Sequence, residues 1–133
     1  MSPLMPGLLD RRRIVVADED PDIVALVIDT LRADGHAVFH ASDVFSATQL
    51  ACDLEPCHLV ITNTRVQGVE GIDLIHQLRK HRHALPILYL ANPGRSTPEL
   101  EAQLPSDVPI LRHPFTADQL RSAVKALLDT ALA

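Results

Sequence analysis

The sequence predicts an α/β protein, a (βα)5 three-layer sandwich with a central five-stranded parallel sheet between two layers of helix. The first observation behind this is alternation. Short continuous apolar runs rich in Val, Ile and Leu are followed by longer stretches whose apolar residues recur every three or four positions, and the pair repeats five times along the chain. The second is size: 133 residues, 47% hydrophobic and 22% charged, make one ordinary domain of about 100–150 residues and leave no room for another. Right-handed crossovers between parallel strands then put helices on both faces.

Each element has its own signal. Ile14-Val15-Val16-Ala17 is a strand buried on both faces, and Asp20-Pro21 then reads as an N-cap with proline in the first helical position. Ile23, Leu26, Val27, Thr30 and Leu31 form the inner stripe of that helix, which Gly35 closes. Ala37 to His40 is the second strand. Ser42 or Asp43 opens the next helix, whose stripe is Val44, Ala47, Ala51 and Leu54, and Pro56 stops it. Leu59 to Thr62 is the third strand; after a loop at Gln67-Gly68 comes a helix with Ile72, Ile75 and Leu78 inside and a basic end from Arg79 to His83.

Pro86 starts the fourth strand, Ile87 to Ala91. Thr97-Pro98-Glu99 opens a fourth helix, with Ser96 and Glu99 as a capping box and an end near Pro105. The fifth strand is Val108 to Arg112, placed at an edge because Pro109 cannot donate to a ladder. Thr116 to Gln119 is a capping box for the last helix, with Leu120, Val124, Leu127, Leu128 and Ala131 on its apolar side.

Composition excludes several functions. Lys+Arg 12 against Asp+Glu 17 gives a net charge of -5, which argues against direct nucleic-acid binding. Phe39, Phe45, Tyr89 and Phe115 are the only aromatics, so there is no stacking platform for single strands, and the core is expected to be Val, Ile, Leu and Ala. Cys52 and Cys57 are too few for a disulfide framework or a zinc site and read as small buried residues in a reducing cytosol. No apolar run approaches the roughly 20 residues a membrane span needs, and Met1 to Asp10 lacks the basic start of a signal peptide. The expected location is cytoplasmic, away from membranes.

In such a sheet the site lies beyond the carboxyl ends of the strands. Asp18 and Glu19 follow the first strand. They suit either a hard cation such as Mg²⁺ or the positive end of a helix, and the residues alone leave both open, whereas Asp20 fits the cap. Asn63 follows the third strand, Ala91 and Asn92 the fourth, and His113-Pro114-Phe115 the fifth. A Gly-rich first turn for a nucleotide is absent; the turn is acidic and repels phosphates.

From Arg12 to Leu128 the chain resembles the receiver domains of two-component response regulators, the flavodoxin-like, chemotaxis-regulator-like family. The resemblance rests on Ile14 to Ile23, on Leu59 to Asn63 with Gly71 following, on Pro86 to Ala91, and on His113-Pro114-Phe115. It implies 1–11 as an N-terminal extension and 12–133 as the receiver. In the family an Asp after the third strand takes a phosphoryl group with help from Mg²⁺ on the acidic pair, while a Ser or Thr and a Lys contact the phosphoryl oxygens.

Here Asp18 and Glu19 keep the acidic pair, but Asn63 stands at the acceptor position, Ala91 at the hydroxyl position and His113 at the lysine position. Ile110 takes the place of the family's aromatic switch, and Val66-Gln67 replaces the usual Met-Pro. An amide is no nucleophile, and losing one carboxylate weakens Mg²⁺ binding, so no cofactor beyond weak Mg²⁺ on Asp18 and Glu19 is expected.

The expectation is a non-enzymatic receiver that acts without phosphorylation by binding a protein, either a histidine kinase or a downstream regulator or effector. The surface implied is the fourth helix, fifth strand and fifth helix, about Thr97 to Leu128, which would also serve a homodimer. With no output segment after Ala133 in this sequence, output is expected to pass through a partner or through sequence beyond it. The alternative is a conventional phosphorelay regulator using a substitute acceptor, for which Thr62 and Thr64 flank Asn63. His113 beside two carboxylates offers a pH-sensitive group, and the His76, His81 and His83 cluster reads as the cationic end of a helix.

Overall fold

The computed structural model describes residues 11–54 and 56–132. Most of the expected 1–11 extension and the side chain of Ala131 lie outside the described residues. The elements run β1 (Arg13–Ala17), α1 (Pro21–Ala33), β2 (Ala37–Ala41), α2 (Val44–Asp53), β3 (Leu59–Asn63), β4 (Arg65–Val66), β5 (Val69–Glu70), α3 (Gly71–His81), β6 (Ile87–Ala91), α4 (Pro98–Glu101), β7 (Ile110–Arg112) and α5 (Ala117–Leu132).

Five strands form one sheet in the order β2-β1-β3-β6-β7, and every neighbouring pair is parallel. Alternate side chains of the central strands go to opposite faces. Val15, Val60, Ile87 and Tyr89 pack with Ala47, Ile75 and Leu78 of α2 and α3. Ile14, Val16, Ile61 and Leu88 pack with Leu31 of α1 and Leu120 and Val124 of α5. This is why the strands read as unbroken apolar runs.

The caps explain where the helices begin. Asp20 accepts the Asp22 N–H at 3.0 Å and Asp43 accepts that of Ser46 at 2.8 Å. Thr116 and Gln119 form the reciprocal box, at 2.9 and 3.1 Å. Gly35, at φ 92, ends α1 in a conformation that side chains resist.

The structure corrects six expectations. Thr97, not Ser96, caps α4, accepting the Leu100 N–H at 3.2 Å, because Ser96 Oγ is drawn to Glu101 Oε2 at 2.7 Å. That helix ends at Glu101 rather than near Pro105. Its last turn tightens as Gln103 N–H bonds Leu100 O, and the Gln103 carbonyl meets His76 Nε2 at 2.8 Å. β7 begins at Ile110, not Val108: Pro109 offers only its carbonyl, which accepts from Tyr89 N–H. The loop after β3 contains a hairpin, β4 with β5, turning through Gln67 at φ 52 and Gly68 at φ 76. Cys57 is buried, but Cys52 is exposed because the inner stripe of α2 passes through Ala47 and Ala51.

Nor is the core purely aliphatic: the Tyr89 ring is fully buried, its hydroxyl 3.0 Å from Ser96 Oγ. Among the described residues no helix is long and apolar enough to cross a membrane.

Candidate functional site

β1 and β3 are neighbours whose chains leave in opposite directions, β1 continuing to β2 and β3 to β6. A crevice therefore opens between their carboxyl ends. Asp18 and Asn63 close its floor, 0% and 5% exposed. The Asn63 amide nitrogen donates to both carboxylate oxygens of Asp18, at 3.1 and 3.0 Å. Its orientation is fixed by the other end, where Asn63 Oδ1 accepts the Thr64 N–H at 2.7 Å. Burial pushes the Asp18 carboxyl above its ordinary range, against the stabilising bonds from Asp20 N–H and Asn63.

Glu19 turns outward and accepts the backbone N–H of Gln67 in the hairpin turn. Asp18, Glu19, Asp20 and Asn63 share a cavity of 180 Å³ with Arg65, Asn92 and Arg95. The two arginines were not singled out from the sequence, since a lone Arg in a loop carries no periodic or capping signal.

Ala91 and His113 lie across Asn92 in a second cavity of 140 Å³, with Pro93, Ser96 and Arg112. His113 Nε2 is buried there without a hydrogen-bond partner among the described residues. Burial holds the imidazole below its ordinary pKa, with Asp18 and Asp20 pulling the other way. Ile110 lines neither cavity; it pairs with Tyr89 across the sheet and packs on the α2 and α3 side. The sequence-derived set thus divides into Asp18, Glu19 and Asn63 in one hollow, Ala91 and His113 in the next, and Ile110 half-buried against the core.

A chain of polar contacts that the sequence did not reveal borders the second hollow. Tyr89 meets Ser96, Ser96 donates to Glu101, and Arg112 grips Glu101 with two bonds of 2.9 and 2.7 Å. These bonds hold the Glu101 carboxyl down at about 2.

Whether the acidic pair suits Mg²⁺ turns on lone pairs. A hard cation needs anionic oxygens facing it, but both Asp18 oxygens accept from Asn63 and Glu19 is engaged by the hairpin. Among the described residues no group of three or more His, Cys, Asp or Glu is placed to hold a metal. As arranged, Asn63 supplies no anionic oxygen, and Asp18 Oδ1 is further engaged by the Asp20 N–H, so the pair offers a cation less than three carboxylates would.

The Response regulator receiver domain family matches residues 14–125. The chain is 31% identical over 116 residues to the transcriptional regulatory protein YrkP of Bacillus subtilis, covering 87% of this chain and 49% of that protein. It spans about half the length, or less, of the curated relatives it matches. The receiver domain of NtrX from Brucella abortus superposes with a TM-score of 0.77 at 27% identity, covering 88% of this chain and 98% of that one. A response regulator from Chloroflexus aurantiacus reaches 0.79 at 24% identity, over 90% and 98% of the two chains, and speaks to the fold alone. A family match running from β1 into α5 over this strand order makes the chain a member of the two-component response regulator receiver domain family.

Proposed function

We propose that this receiver signals without phosphoryl transfer and without a catalytic cycle of its own, by binding a protein partner, a histidine kinase or a downstream regulator or effector. The observation that carries the reading is the Asn63 amide seated on both oxygens of Asp18. It puts a non-nucleophilic group where a receiver needs a carboxylate, and its bonds compete with a metal for the Asp18 oxygens.

The neighbouring hydroxyls support the same reading over a substitute acceptor. Thr64 Oγ1 donates to Leu90 O at 2.9 Å and accepts the Asn92 N–H at 2.8 Å, and Thr62 Oγ1 donates to the Asn63 carbonyl. Thr62 and Thr64 are buried, 0% and 1% exposed. Ala91 brings no hydroxyl, and His113 is shorter than lysine with its charge disfavoured by burial. The partner surface, and that of a homodimer, is the face made by α4, β7 and α5.

The test is exposure to Mg²⁺ with beryllofluoride or a small phosphodonor, read by mass spectrometry and amide shifts. The wild type is expected to gain no adduct and no Mg²⁺-dependent shift at Asn63, while the triple variant Asn63→Asp, Ala91→Thr, His113→Lys gains both. A phosphorylated wild-type chain would defeat the proposal.

A further inference from the structure

The opposite end of the sheet, away from the crevice, carries a second arrangement of polar groups. β1 enters between β2 and β3, and the amide just before it and the first amide within it are met by imidazoles instead of strand carbonyls. Arg12 N–H donates to His36 Nδ1 at 3.2 Å, and Arg13 N–H donates to His58 Nδ1 at 2.9 Å. The return bonds come from backbone: Ala37 N–H to Arg12 O and His58 N–H to Arg13 O, each 2.9 Å. His58 thus holds Arg13 at two points, and His36 with Ala37 does the same for Arg12.

A ring nitrogen that accepts cannot carry a proton, so both clasps require neutral imidazoles bearing their hydrogen on Nε2. We propose that His36 and His58 form a proton-sensitive clasp on the foot of β1, closed at neutral pH and opened by mild acid, giving this receiver a conformational input at the end of the sheet away from Asp18. The inference does not depend on whether the crevice takes a phosphoryl group.

The surroundings decide how the clasp responds. His58 shares a cavity of 230 Å³ with Arg12, Cys57 and Arg82, and Arg13 and His36 also act on it. Burial first, then these cations, hold its pKa below the ordinary histidine value of 6.5. The sign follows. A base whose folded pKa is depressed stabilises the fold above its unfolded pKa, and that contribution is lost as pH falls from about 6.5 through the folded value. His36 opens on a larger cavity of 340 Å³ lined by Arg12, Asp34, Arg121, Val124, Lys125, Leu128 and Asp129. There Asp34 pairs with Arg121 and Asp129 with Lys125. Protonation turns each accepting Nδ1 into a donor facing a backbone N–H, and two donors face to face push the clasp open.

The experiment follows the Arg12 and Arg13 amides in the whole chain by hydrogen exchange between pH 7.5 and 5, with imidazole nitrogen shifts reporting the protonation state. Protection, taken against the unstructured rate at each pH, is expected to fall by about tenfold or more as His36 and His58 titrate, a tenfold change corresponding to one pKa unit. His58→Asn, which presents an oxygen at the Nδ1 position and does not titrate, should keep Arg13 protected at both ends of the range. His58→Phe, with no acceptor, should leave Arg13 unprotected throughout. Protection that stays constant while the rings titrate overturns the proposal, as does a proton found on Nδ1 at pH 7.5 or an equal loss in His58→Asn.

Discussion

Gly71 shows how one atom can shape the crevice. A Cβ built there would lie 2.0 Å from the Asn63 carbonyl oxygen and 3.1 Å from Thr62 Oγ1, so α3 starts hard against the end of β3. Gly71→Ala must displace the backbone that carries Asn63. It is expected to cost about 1–3 kcal/mol in denaturant unfolding and to shift the Asn63 side-chain amide resonances. Asn63 itself gives a sharper test. Replacing the donating amide with a carboxylate puts two like charges about 3 Å apart in a buried floor. Asn63→Asp is therefore expected to lose about 1–3 kcal/mol near pH 7 without metal. Because the pair then shares a raised pKa, that loss shrinks as pH falls and returns as pH rises through it. Mg²⁺ should restore stability to this variant and leave the wild type unmoved, which a thermal melt with and without the ion can read. The sequence located Asp18 and Asn63 by their places at strand ends. What it could not supply was the direction of the amide, which depends on the Thr64 N–H behind it.

The elements read best from sequence were those buried on both faces, β1, β3 and β6, and the helices whose caps are adjacent in the chain. α4 is the counterexample. Its four residues are fewer than a propensity argument needs, and its position is set by contacts distant in sequence. Arg112 at the end of β7 and Ser96 before the helix both reach Glu101, while His76 of α3 holds the Gln103 carbonyl. The β4 and β5 hairpin escaped for the same reason: two-residue strands carry no periodicity, and Val69 is exposed. The Glu101 contacts also predict a pH dependence at the scale of the element. Its carboxyl lies at about 2 against an ordinary 4.5, so its ion pair stabilises fully above 4.5 and is lost as pH falls toward 2. Glu101→Gln should flatten the acid limb of the unfolding curve in that window and loosen α4, with little cost near pH 7 because Arg112 is largely exposed.

Across the whole molecule β1 is the shared part. Its side chains feed both core layers, its carboxyl end carries Asp18, and its amino end is held by His36 and His58. The fold was legible because the order of apolar runs and caps constrains a parallel sheet so tightly. The division of the site into two hollows and the clasp at the far end were not, since each depends on side chains brought together from different strands. From Arg13 to Asp18 is five residue steps of about 3.3 Å, roughly 16 Å along the strand. That separation makes a definite forecast about communication between the ends. The described structure gives β1 one register against both neighbours, and energetic coupling over such a distance needs an element with two arrangements. With the clasp closed at pH 7.5, Asn63→Ala and His58→Phe should therefore destabilise additively, to within about 0.5 kcal/mol in a double-mutant cycle by chemical denaturation. An interaction energy well above that would mean that β1 shifts as a body and that protonation at its foot reaches the acidic crevice.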